Sequence, residues 1–245
     1  MKGIILAGGT GSRLDPLTRI TNKHLLPVYD RPMIYHAVQA LALAGIDRIM
    51  IVTGGNHAGE FLRLLGNGSA FGLRHLDYAY QERPGGIAEA LGLAEFFAGG
   101  EPVAVLLGDN VFEYSIAAVA QRFRERPVGA RLMLVEVGNP SVYGVAEMDG
   151  NRLVRILEKP AIPPSNLAVT GLYFYDSRVF EMVKTLKPSG RGELEITDVN
   201  NRYLELGELS FERAHGYWAD CGESIEMLQR ASSLVAQRGS NKPLP

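Results

Sequence analysis

A glycine-rich segment with one arginine follows the first apolar run of the chain and is suited to holding phosphate groups. The run Ile4 to Ala7 leads directly into Gly8-Gly9-Thr10-Gly11-Ser12-Arg13. Glycines let backbone N–H groups approach an anion closely and form a concave nest around it, and Arg13 adds a planar charged donor that suits phosphate. Lys23, which follows in the next segment, could reach the same phosphates. The alternative interpretation is a glycine-rich turn that binds no ligand.

Two familiar nucleotide-binding motifs are absent from this segment. The dinucleotide fingerprint, if it began at Gly9, would need a glycine at the position of Leu14. The Walker A loop ends in Gly-Lys-Ser or Gly-Lys-Thr, and neither tripeptide occurs in the chain. Any phosphate at the glycine-rich segment is therefore expected to be held in a different way.

A carboxylate stands at the end of another apolar run. Asp109 comes just after the run Val103 to Leu107. Ligands of open α/β sheets collect at the carboxyl ends of the strands, which makes Asp109 a candidate site residue. As an isolated residue it could equally be a helix N-cap or a turn aspartate. The five histidines are scattered without metal-ligand spacing, so we assign them no site.

Strand-like and helix-like segments alternate through the first half of the chain and must position these groups. Strands are predicted at 4–7, 48–53, 76–80 and 103–107, and helices at 33–44, 58–65 and 87–97. This alternation is typical of a largely parallel sheet with helices on both faces. The sequence therefore predicts an α/β, Rossmann-like fold with a mostly parallel mixed sheet.

The second half changes character and predicts a smaller β/α elaboration of the same domain. Strands are predicted at 131–137, 144–148, 153–157, 169–175 and 209–214, and helices at 195–206 and 224–237. Asp149-Gly150 is a hairpin turn signal. The Pro-rich stretch 159–165 is interpreted as a loop, because strands flank it on both sides. We expect one domain over residues 1–238, followed by a frayed polar tail at 239–245.

Composition limits the class of protein. The 245 residues are 46% hydrophobic and 21% charged, as in an ordinary globular protein. A net charge of −2 gives no broad cationic field for nucleic acid or for an anionic membrane. No apolar run approaches the roughly 18 residues of a membrane span, and the single Cys221 cannot form an intramolecular disulfide. We expect a cytoplasmic protein without nucleic-acid or membrane partners; a homo-oligomer is allowed but not indicated.

Beyond these features, an ordered series of motifs resembles the sugar-1-phosphate nucleotidyltransferase family. The first part is Leu6 to Leu14 together with Lys23-His24-Leu25-Leu26-Pro27-Val28. The later motifs are Gln81 with Pro84-Gly85-Gly86-Ile87-Ala88, Leu107-Gly108-Asp109-Asn110, Tyr143-Gly144-Val145, Glu158-Lys159-Pro160, Val169-Thr170-Gly171-Leu172-Tyr173, Arg191-Gly192-Glu193-Leu194-Glu195-Ile196-Thr197-Asp198 and Trp218-Ala219-Asp220. Each motif alone is weak, but their order across nearly the whole chain is specific. Within the family, the chain is most similar to the glucose-1-phosphate thymidylyltransferases.

The resemblance implies a nucleotide site in the half formed by residues 1 to about 130. Arg13 would stabilise the leaving pyrophosphate, and Lys23 would neutralise the α-phosphate and the attacking phosphate. The amide of Gln81 has a donor and an acceptor that can pair with N3–H and O4 of thymine, an edge that uracil shares. The implied nucleotide-binding residues are Leu6, Gly8, Gly9, Thr10, Gly11, Arg13, Lys23, Gln81, Pro84, Gly86 and Asp109.

The same resemblance implies a sugar-phosphate site in residues from about 131 to 238. Glu158 would accept hydrogen bonds from sugar hydroxyls, while Lys159 and Arg191 would hold the phosphate, Arg191 with bidentate geometry. In isolation, Glu158 and Lys159 would be interpreted as a weak surface ion pair, and Trp218 as a core aromatic. The implied residues are Tyr143, Gly144, Glu158, Lys159, Val169, Tyr173, Arg191 and Trp218.

The reaction implied by the family is deoxythymidylyl transfer from dTTP to α-D-glucose 1-phosphate, which yields dTDP-glucose and pyrophosphate. Its implied catalytic residues are Arg13, Lys23, Asp109 and Asp220, of which Asp109 and Asp220 would bind Mg²⁺, an ion that prefers carboxylate oxygens. The nearest alternative is a uridylyltransferase that uses UTP. A non-catalytic nucleotide-sugar sensor should have lost some of these four residues. A glycosyltransferase typically needs an Asp-x-Asp motif, which this chain lacks.

Two features depart from the family pattern. Family members more often have threonine or alanine at the position of Cys221, and threonine at the position of Glu223. We expect Cys221 to be a small packed residue and Glu223 to cap the helix that starts near Ser224. The motifs also end at Asp220, whereas longer family members carry a further helical segment with a regulatory site. The 245 residues are therefore expected to form a catalytic core without that segment.

Overall fold

Most strands and helices lie where the apolar periodicity predicts them, but the helices at Ala117–Glu125 and Val179–Lys184 were not predicted. The computed structural model describes residues 1–244. In chain order the elements are β1 (Lys2–Ala7), β2 (Pro27–Val28), β3 (Arg31–Pro32), α1 (Met33–Leu43), β4 (Arg48–Gly54), α2 (Ala58–Leu65), β5 (His75–Gln81), α3 (Ile87–Gly92), α4 (Glu95–Ala98), β6 (Val103–Leu107), β7 (Asn110–Phe112), α5 (Ala117–Glu125), β8 (Ala130–Glu136), β9 (Gly144–Asp149), β10 (Arg152–Glu158), β11 (Leu167–Tyr175), α6 (Val179–Lys184), α7 (Ile196–Glu205), β12 (Leu209–Arg213), β13 (Trp218–Asp220) and α8 (Ile225–Arg238). Within the described residues, no helix is long and apolar enough to cross a membrane.

Nine of the strands form one mixed sheet. Its main path runs β10-β9-β11-β6-β1-β4-β5, and β8 pairs with both β11 and β12. In the first half of the chain, β1 lies parallel to β4 and β6, and β4 lies parallel to β5. In the second half, β11 lies antiparallel to β6 and β8, and β9 and β10 form an antiparallel hairpin. The predicted α/β fold is confirmed, because a parallel region from the first half is extended by an elaboration from the second.

Both faces of the parallel region are buried, as the continuous apolar runs of β1 and β6 indicate. Along β1, Ile4 and Leu6 join the apolar cluster that includes residues of α3, α6 and α7. The alternate residues Ile5 and Ala7 join the opposite cluster, which includes residues of α1, α2 and α5. The two-residue period of a strand thus sends successive side chains into two separate cores, and the carboxyl ends of the strands remain free to meet ligands.

Two short strand pairs lie outside the main sheet and were not predicted from the sequence. β2 pairs with β3, and β7 pairs with β13 so that Asp220 lies opposite Asn110. These strands have two or three residues, which is too short for any period in the sequence to show. A third apolar cluster packs Leu228 and Val235 of α8 against residues of this region. Helix α8 therefore supports the pair that carries Asp220.

The prediction of one helix over 87–97 is wrong, because two shorter helices, α3 and α4, occupy that stretch. Helix α3 ends at Gly92, a residue type that weakens helices. A side chain at that position would also come 3.3 Å from Cγ1 of Val183 in α6. The glycine therefore permits a close approach of the two helices at the point where α3 ends.

The prediction of a frayed tail is also wrong for the described residues up to 244. The backbone N–H groups of Asn241 and Lys242 donate to the carbonyl oxygens of Phe112 and Glu113, each at 2.9 Å. The side-chain amide of Asn241 donates to the carbonyl oxygen of His36 at 3.0 Å, and Lys242 Nζ donates to Oε1 of Glu113 at 2.9 Å. Polar composition suggested a solvated end, but these polar groups pair with buried partners and dock the segment.

Candidate active site

A cavity of about 310 Å³ lies at the carboxyl ends of the central strands. Most residues that the sequence singled out line it, and they come from both halves of the chain. Those residues are Leu6, Gly8, Gly9, Arg13, Lys23, Gln81, Pro84, Gly86, Asp109, Tyr143, Gly144, Glu158, Lys159, Val169, Tyr173, Trp218 and Asp220. Thr10, Gly11 and Arg191 lie outside the lining. The parallel strands β1, β5 and β6 explain this meeting, since they end at the same edge of the sheet.

The glycine-rich segment forms one wall of the cavity. Gly8 and Gly9 continue β1 into the cavity, where an added Cβ at Gly9 would lie 3.3 Å from Cε of Lys23. Gly11 has a φ of 71°, in the left-handed region, and precedes a single 3₁₀ turn that places Arg13 at the cavity. The segment therefore presents backbone and a guanidinium to the same space. The arrangement is one that can hold an anion.

Lys23 and Asp109 form a buried ion pair at the base of the cavity. Nζ of Lys23 lies 2.5 Å from Oδ2 of Asp109, and each residue is less than 10% exposed. Burial opposes the charge on both groups, but their mutual attraction outweighs it, so the pKa of Lys23 is raised and that of Asp109 is lowered. The side-chain Oδ1 of Asn22 accepts a hydrogen bond from the backbone N–H of His24 and fixes the turn that carries Lys23. Both members of the pair are therefore charged.

Asp220 is the second carboxylate of this region, and no cation pairs with it within residues 1–244. Its Oδ1 accepts a hydrogen bond from the backbone N–H of Gly222 at 3.0 Å. Burial and the negative charge of Asp109 raise the pKa of Asp220 to about 7, although Lys23 and Arg13 act in the opposite direction. A pKa this far above the usual carboxyl range shows that these buried surroundings disfavour the charged form of Asp220. A further cation beside it would favour the charged form.

The donor set at Asp109 and Asp220 fits a hard divalent cation. Both groups are carboxylates, and pairing of β7 with β13 brings Asp220 next to the residue that follows Asp109. Mg²⁺ is usually bound through one or two carboxylates, with water and substrate phosphates as its other ligands. No larger group of three or more acidic, histidine or cysteine ligands occurs in the described residues. A two-carboxylate site that also uses ligand oxygens is the arrangement these residues allow.

Gln81 and the loop at Pro84 to Gly86 form one end of the cavity. Nε2 of Gln81 donates to Oε1 of Glu89 at 3.2 Å and to the carbonyl oxygen of Gly86 at 3.4 Å. The loop is tied to the second half of the chain, because the backbone N–H of Leu194 donates to the carbonyl oxygen of Gly85 at 2.8 Å. Gly86 has a φ of 100°, which requires glycine. A planar amide thus faces the cavity from a fixed loop.

A further part of the cavity lining, at the end of β10, consists of Glu158 and Lys159. Oε2 of Glu158 accepts from the hydroxyl of Thr197 at 2.6 Å, and Nη2 of Arg191 lies 3.3 Å from its Oε1. Arg191 also donates to Oε2 of Glu195 at 2.8 Å. Arg191 therefore does not line the cavity itself but holds a carboxylate that does. Carboxylate oxygens in this part of the lining can accept hydrogen bonds from hydroxyl groups of a ligand.

Asn110 is a residue whose contribution the sequence did not reveal. Its Oδ1 accepts hydrogen bonds from Nε1 of Trp218 at 2.7 Å and from the backbone N–H of Gly171 at 2.8 Å. Its Nδ2 donates to Oδ1 of Asp109 at 3.0 Å. One buried amide thus joins the aromatic wall, β11 and the carboxylate. Its position next to Asp109 was the only sequence signal for this function.

His24 and Thr197 also line the cavity without having been assigned to it. Burial and the charge of Lys23 lower the pKa of His24 to about 3, which keeps the ring neutral. Nδ1 of His24 lies 2.7 Å from Oδ1 of Asn22. His24 directly follows Lys23 in the sequence, whereas Thr197 reaches the cavity only through the fold.

The two departures at Cys221 and Glu223 have different outcomes. Cys221 is fully buried, and its backbone N–H donates to the carbonyl oxygen of Asp109, which confirms a packed residue. The predicted cap at Glu223 is wrong, since Oγ of Ser224 accepts the capping hydrogen bond from the backbone N–H of Met227. Serine has a short hydroxyl that reaches this N–H. Glu223 instead lies close enough to Tyr143 for its charge to contribute to the raised pKa of that phenol, of which burial is the main cause.

Comparison with known proteins supports one family. A family model described as nucleotidyl transferase matches residues 2–237. The glucose-1-phosphate thymidylyltransferase of Neisseria meningitidis serogroup A is 48% identical over 239 residues, which cover 96% of this chain and 82% of that protein. The protein of the same name from Actinoplanes sp. is 50% identical over 240 residues, covering 96% and 78%.

Solved structures show the same fold. A Bacillus anthracis structure, described as a glucose-1-phosphate thymidylyltransferase in complex with sucrose, matches with a TM-score of 0.91 and 50% identity, covering 96% of this chain and 94% of the other. A UDP-glucose pyrophosphorylase complexed with UDP-glucose matches with a TM-score of 0.82 at 25% identity, covering 96% and 98%. The fold is thus shared by one protein named for thymidylyl transfer and another named for UDP-glucose.

Proposed function

Because the chain belongs to the nucleotidyl transferase family, we propose that it transfers a deoxythymidylyl group from dTTP to α-D-glucose 1-phosphate. The products are dTDP-glucose and pyrophosphate. Two relatives named glucose-1-phosphate thymidylyltransferase, which are 48% and 50% identical over 96% of the chain, support this substrate pair. The observation that carries the proposal is the one cavity that Arg13, Lys23, Asp109 and Asp220 line together with the amide of Gln81 and the carboxylate of Glu158.

The chemistry is an in-line displacement. An oxygen of the sugar 1-phosphate attacks the α-phosphorus of dTTP, the bond from that phosphorus to the bridging oxygen breaks, and pyrophosphate leaves with the electron pair. Both reactants are anionic, so catalysis depends on positioning and on stabilising negative charge, without a covalent enzyme intermediate. A buried, permanently paired Lys23 is suited to this because its charge is fixed before substrate arrives.

We assign the nucleotide to the half of the cavity from residues 1–130. The backbone at Leu6, Gly8, Gly9, Thr10 and Gly11 would wrap the triphosphate, with Arg13 at the leaving pyrophosphate and Lys23 at the α-phosphate. Gln81 would meet the base, with Pro84 and Gly86 shaping that end. Asp109 and Asp220 would hold Mg²⁺, which when bound neutralises phosphate charge.

We assign the sugar phosphate to the half from residues 131–238. Glu158 would accept hydrogen bonds from sugar hydroxyls, held in place by Thr197 and Arg191. Lys159 would meet the sugar phosphate. Tyr143 and Trp218, whose rings form an edge-on pair 5.3 Å apart, would form an aromatic wall with Tyr173, Val169 and Gly144. Arg191 would contribute through its contacts with Glu158 rather than from the cavity lining.

A uridylyltransferase is the second candidate function, because the structurally similar UDP-glucose pyrophosphorylase shares the fold and thymine and uracil present the same edge to Gln81. The UDP-glucose pyrophosphorylase is 25% identical to this chain, half the 50% identity of the Actinoplanes thymidylyltransferase. We further propose that the protein acts in the cytoplasm, without nucleic-acid or membrane partners. A non-catalytic sensor is disfavoured, since all four charged residues are present and meet at one cavity.

Pyrophosphate release tests the proposal. Purified protein should release pyrophosphate with dTTP and glucose 1-phosphate when Mg²⁺ is present, and should be inactive when either substrate is omitted or the metal is chelated. Turnover with UTP and not with dTTP would establish the uridylyltransferase instead. Tight dTTP binding without turnover would support the sensor.

A further inference from the structure

Glu89 lies outside the cavity lining and contacts Gln81, one of the lining residues. It belongs to the first turn of α3, and its side chain is 27% exposed. Its Oε1 accepts a hydrogen bond from Nε2 of Gln81 at 3.2 Å. Glu89 can therefore influence a ligand only through the amide of Gln81.

The contacts of Gln81 fix which way its amide points. Nε2 has two acceptors, the carboxylate of Glu89 and the carbonyl oxygen of Gly86. Oε1 lies over Gly8, where an added Cβ would come within 2.5 Å of it, and it receives no hydrogen bond from the described residues. A flipped amide would place Oε1 against two acceptors, neither of which can donate. A single orientation therefore results, with the oxygen free for a ligand.

The loop that precedes α3 is built to admit the Glu89 carboxylate. A Cβ at Gly85 would lie 1.9 Å from Oε2 of Glu89, so a larger residue at that position would displace the end of the Glu89 side chain. Nε of Arg83, on the same loop, is 4.0 Å from Oε2 but its side chain is 85% exposed, so it screens the carboxylate only weakly. The carboxylate thus remains a strong acceptor for Gln81.

We propose that Glu89 is a positioning residue for base selection, which holds Gln81 so that its oxygen accepts the ring N3–H of a nucleobase. The inference rests on the proposed nucleotidyl transfer and deepens it. Thymine and uracil have a donor at N3, whereas cytosine has an acceptor there. Both Nε2 hydrogens are engaged, so Gln81 cannot turn to donate to cytosine. For the same reason it has no N–H left for O4 of thymine, and the contact with O4 that the sequence suggested gives way to the single contact with N3–H. Glu89 therefore excludes cytosine and leaves thymine and uracil equal at this contact.

The test compares kcat/KM for dTTP and dCTP in the wild type and in Glu89→Gln. A glutamine at 89 can donate as well as accept, which removes one of the two obstacles to the flipped amide of Gln81 and leaves only the carbonyl oxygen of Gly86. We expect the dTTP to dCTP selectivity to fall about tenfold, the ratio that one hydrogen bond of about 1.4 kcal/mol provides. The KM values should carry most of the change, and kcat for dTTP should change less than the selectivity. Glu95→Gln, in the neighbouring α4, is the matched control and should keep wild-type selectivity.

A second background separates positioning from general damage. In Gln81→Ala, the further change Glu89→Gln should have no effect on selectivity, because the amide that Glu89 orients is absent. Unchanged selectivity in Glu89→Gln, or an equal loss in the Gln81→Ala background, would overturn the proposal. If the wild type does not turn over dTTP, the proposed function fails, and calorimetric binding of dTTP and dCTP to the same variants decides the role of Glu89.

Discussion

Two carboxylates, Asp109 and Asp220, line the cavity beside a single buried cation, Lys23. This arrangement determines the protonation of Asp220. Asp109 is paired with Lys23, while Asp220 accepts a hydrogen bond only from a backbone N–H, and the charges of Lys23 and Arg13 do not outweigh its burial. An unpaired carboxylate in a desolvated place favours its protonated form. A cation bound beside Asp220 would therefore favour its ionised form, at the place where the phosphates are proposed to bind.

Replacing Asp109 by asparagine should remove turnover while leaving the fold intact. The change keeps the shape but leaves Lys23 without its charged partner and deletes one proposed metal ligand. We expect kcat to fall by at least about 10²-fold, the scale for loss of one catalytic electrostatic contact, with a similar circular dichroism spectrum. Asp149→Asn in the exposed hairpin turn is the control. Wild-type rates for Asp109→Asn at limiting Mg²⁺ would reject the metal assignment.

Stability of the metal-free protein should depend on the titration of Asp220. Its pKa in the folded protein is raised from 3.8 to about 7, so folding favours the protonated form. The free energy of unfolding is therefore highest below the ordinary pKa and declines as pH rises to about 7. Urea unfolding at about pH 5 and about pH 8 should show a smaller decline in Asp220→Asn than in the wild type. Parallel pH dependences would contradict the raised pKa.

At the scale of elements, short and irregular pieces place the chemistry. The turn after β13 brings Gly222 against the ion pair, where an added Cβ would lie 2.5 Å from Oδ2 of Asp109 and 2.7 Å from Nζ of Lys23. No side chain can occupy that space unless the pair moves. Long elements thus build the scaffold, and a three-residue strand with its turn sets distances in the site.

The variant Gly222→Ala should consequently impair catalysis more than stability. The added methyl group should displace Lys23 or Asp109 by up to about 1 Å. We expect such a displacement to lower kcat by as much as about 10²-fold. Gly59→Ala in α2, where an added Cβ has nothing within 4 Å, should retain activity and gain up to about 1 kcal/mol of stability. Steady-state kinetics and thermal unfolding of both variants provide the measurement. Full activity in Gly222→Ala would show that the contact is not critical.

The long elements could be predicted from the sequence because apolar periodicity is local. Strand β6 and helix α7, for example, lie within one residue of their predicted bounds. The pairs β2–β3 and β7–β13 could not, since two or three residues carry no period. The break between α3 and α4 depends on a tertiary contact of Gly92 with Val183. In the site, charged motif residues were identified, whereas Asn110 and Glu89 act through hydrogen bonds that only the fold reveals.

At the scale of the whole molecule, the carboxyl-terminal segment packs against Glu113, a buried residue that follows β7. Glu113 is 1% exposed and accepts hydrogen bonds from Lys242, Arg238 and the backbone N–H of Tyr217. It follows β7 directly, so the carboxyl-terminal segment is fastened to the strand that carries Asn110. A buried carboxylate needs such partners to remain charged.

Loss of the Lys242 contact should therefore destabilise the whole domain. We expect Lys242→Met to lower the free energy of unfolding by about 2 kcal/mol, the typical contribution of a hydrogen bond to a charged group. Guanidinium unfolding followed by fluorescence gives the value. Lys187→Met, at an exposed lysine without an ion pair among the described residues, should unfold like the wild type. Equal midpoints for both variants would mean that the tail contributes nothing.

The central claim, that one cavity joins a deoxythymidylyl group to glucose 1-phosphate, is tested most directly by the identity of the product. The protein would be incubated with glucose 1-phosphate, Mg²⁺ and equal concentrations of dTTP, UTP, dCTP and GTP, and the nucleotide sugars identified by mass spectrometry. We predict dTDP-glucose as the main product, together with an equivalent amount of pyrophosphate. A mixture dominated by another nucleotide sugar would contradict the account. So would the absence of any nucleotide sugar when the folded wild-type protein is used.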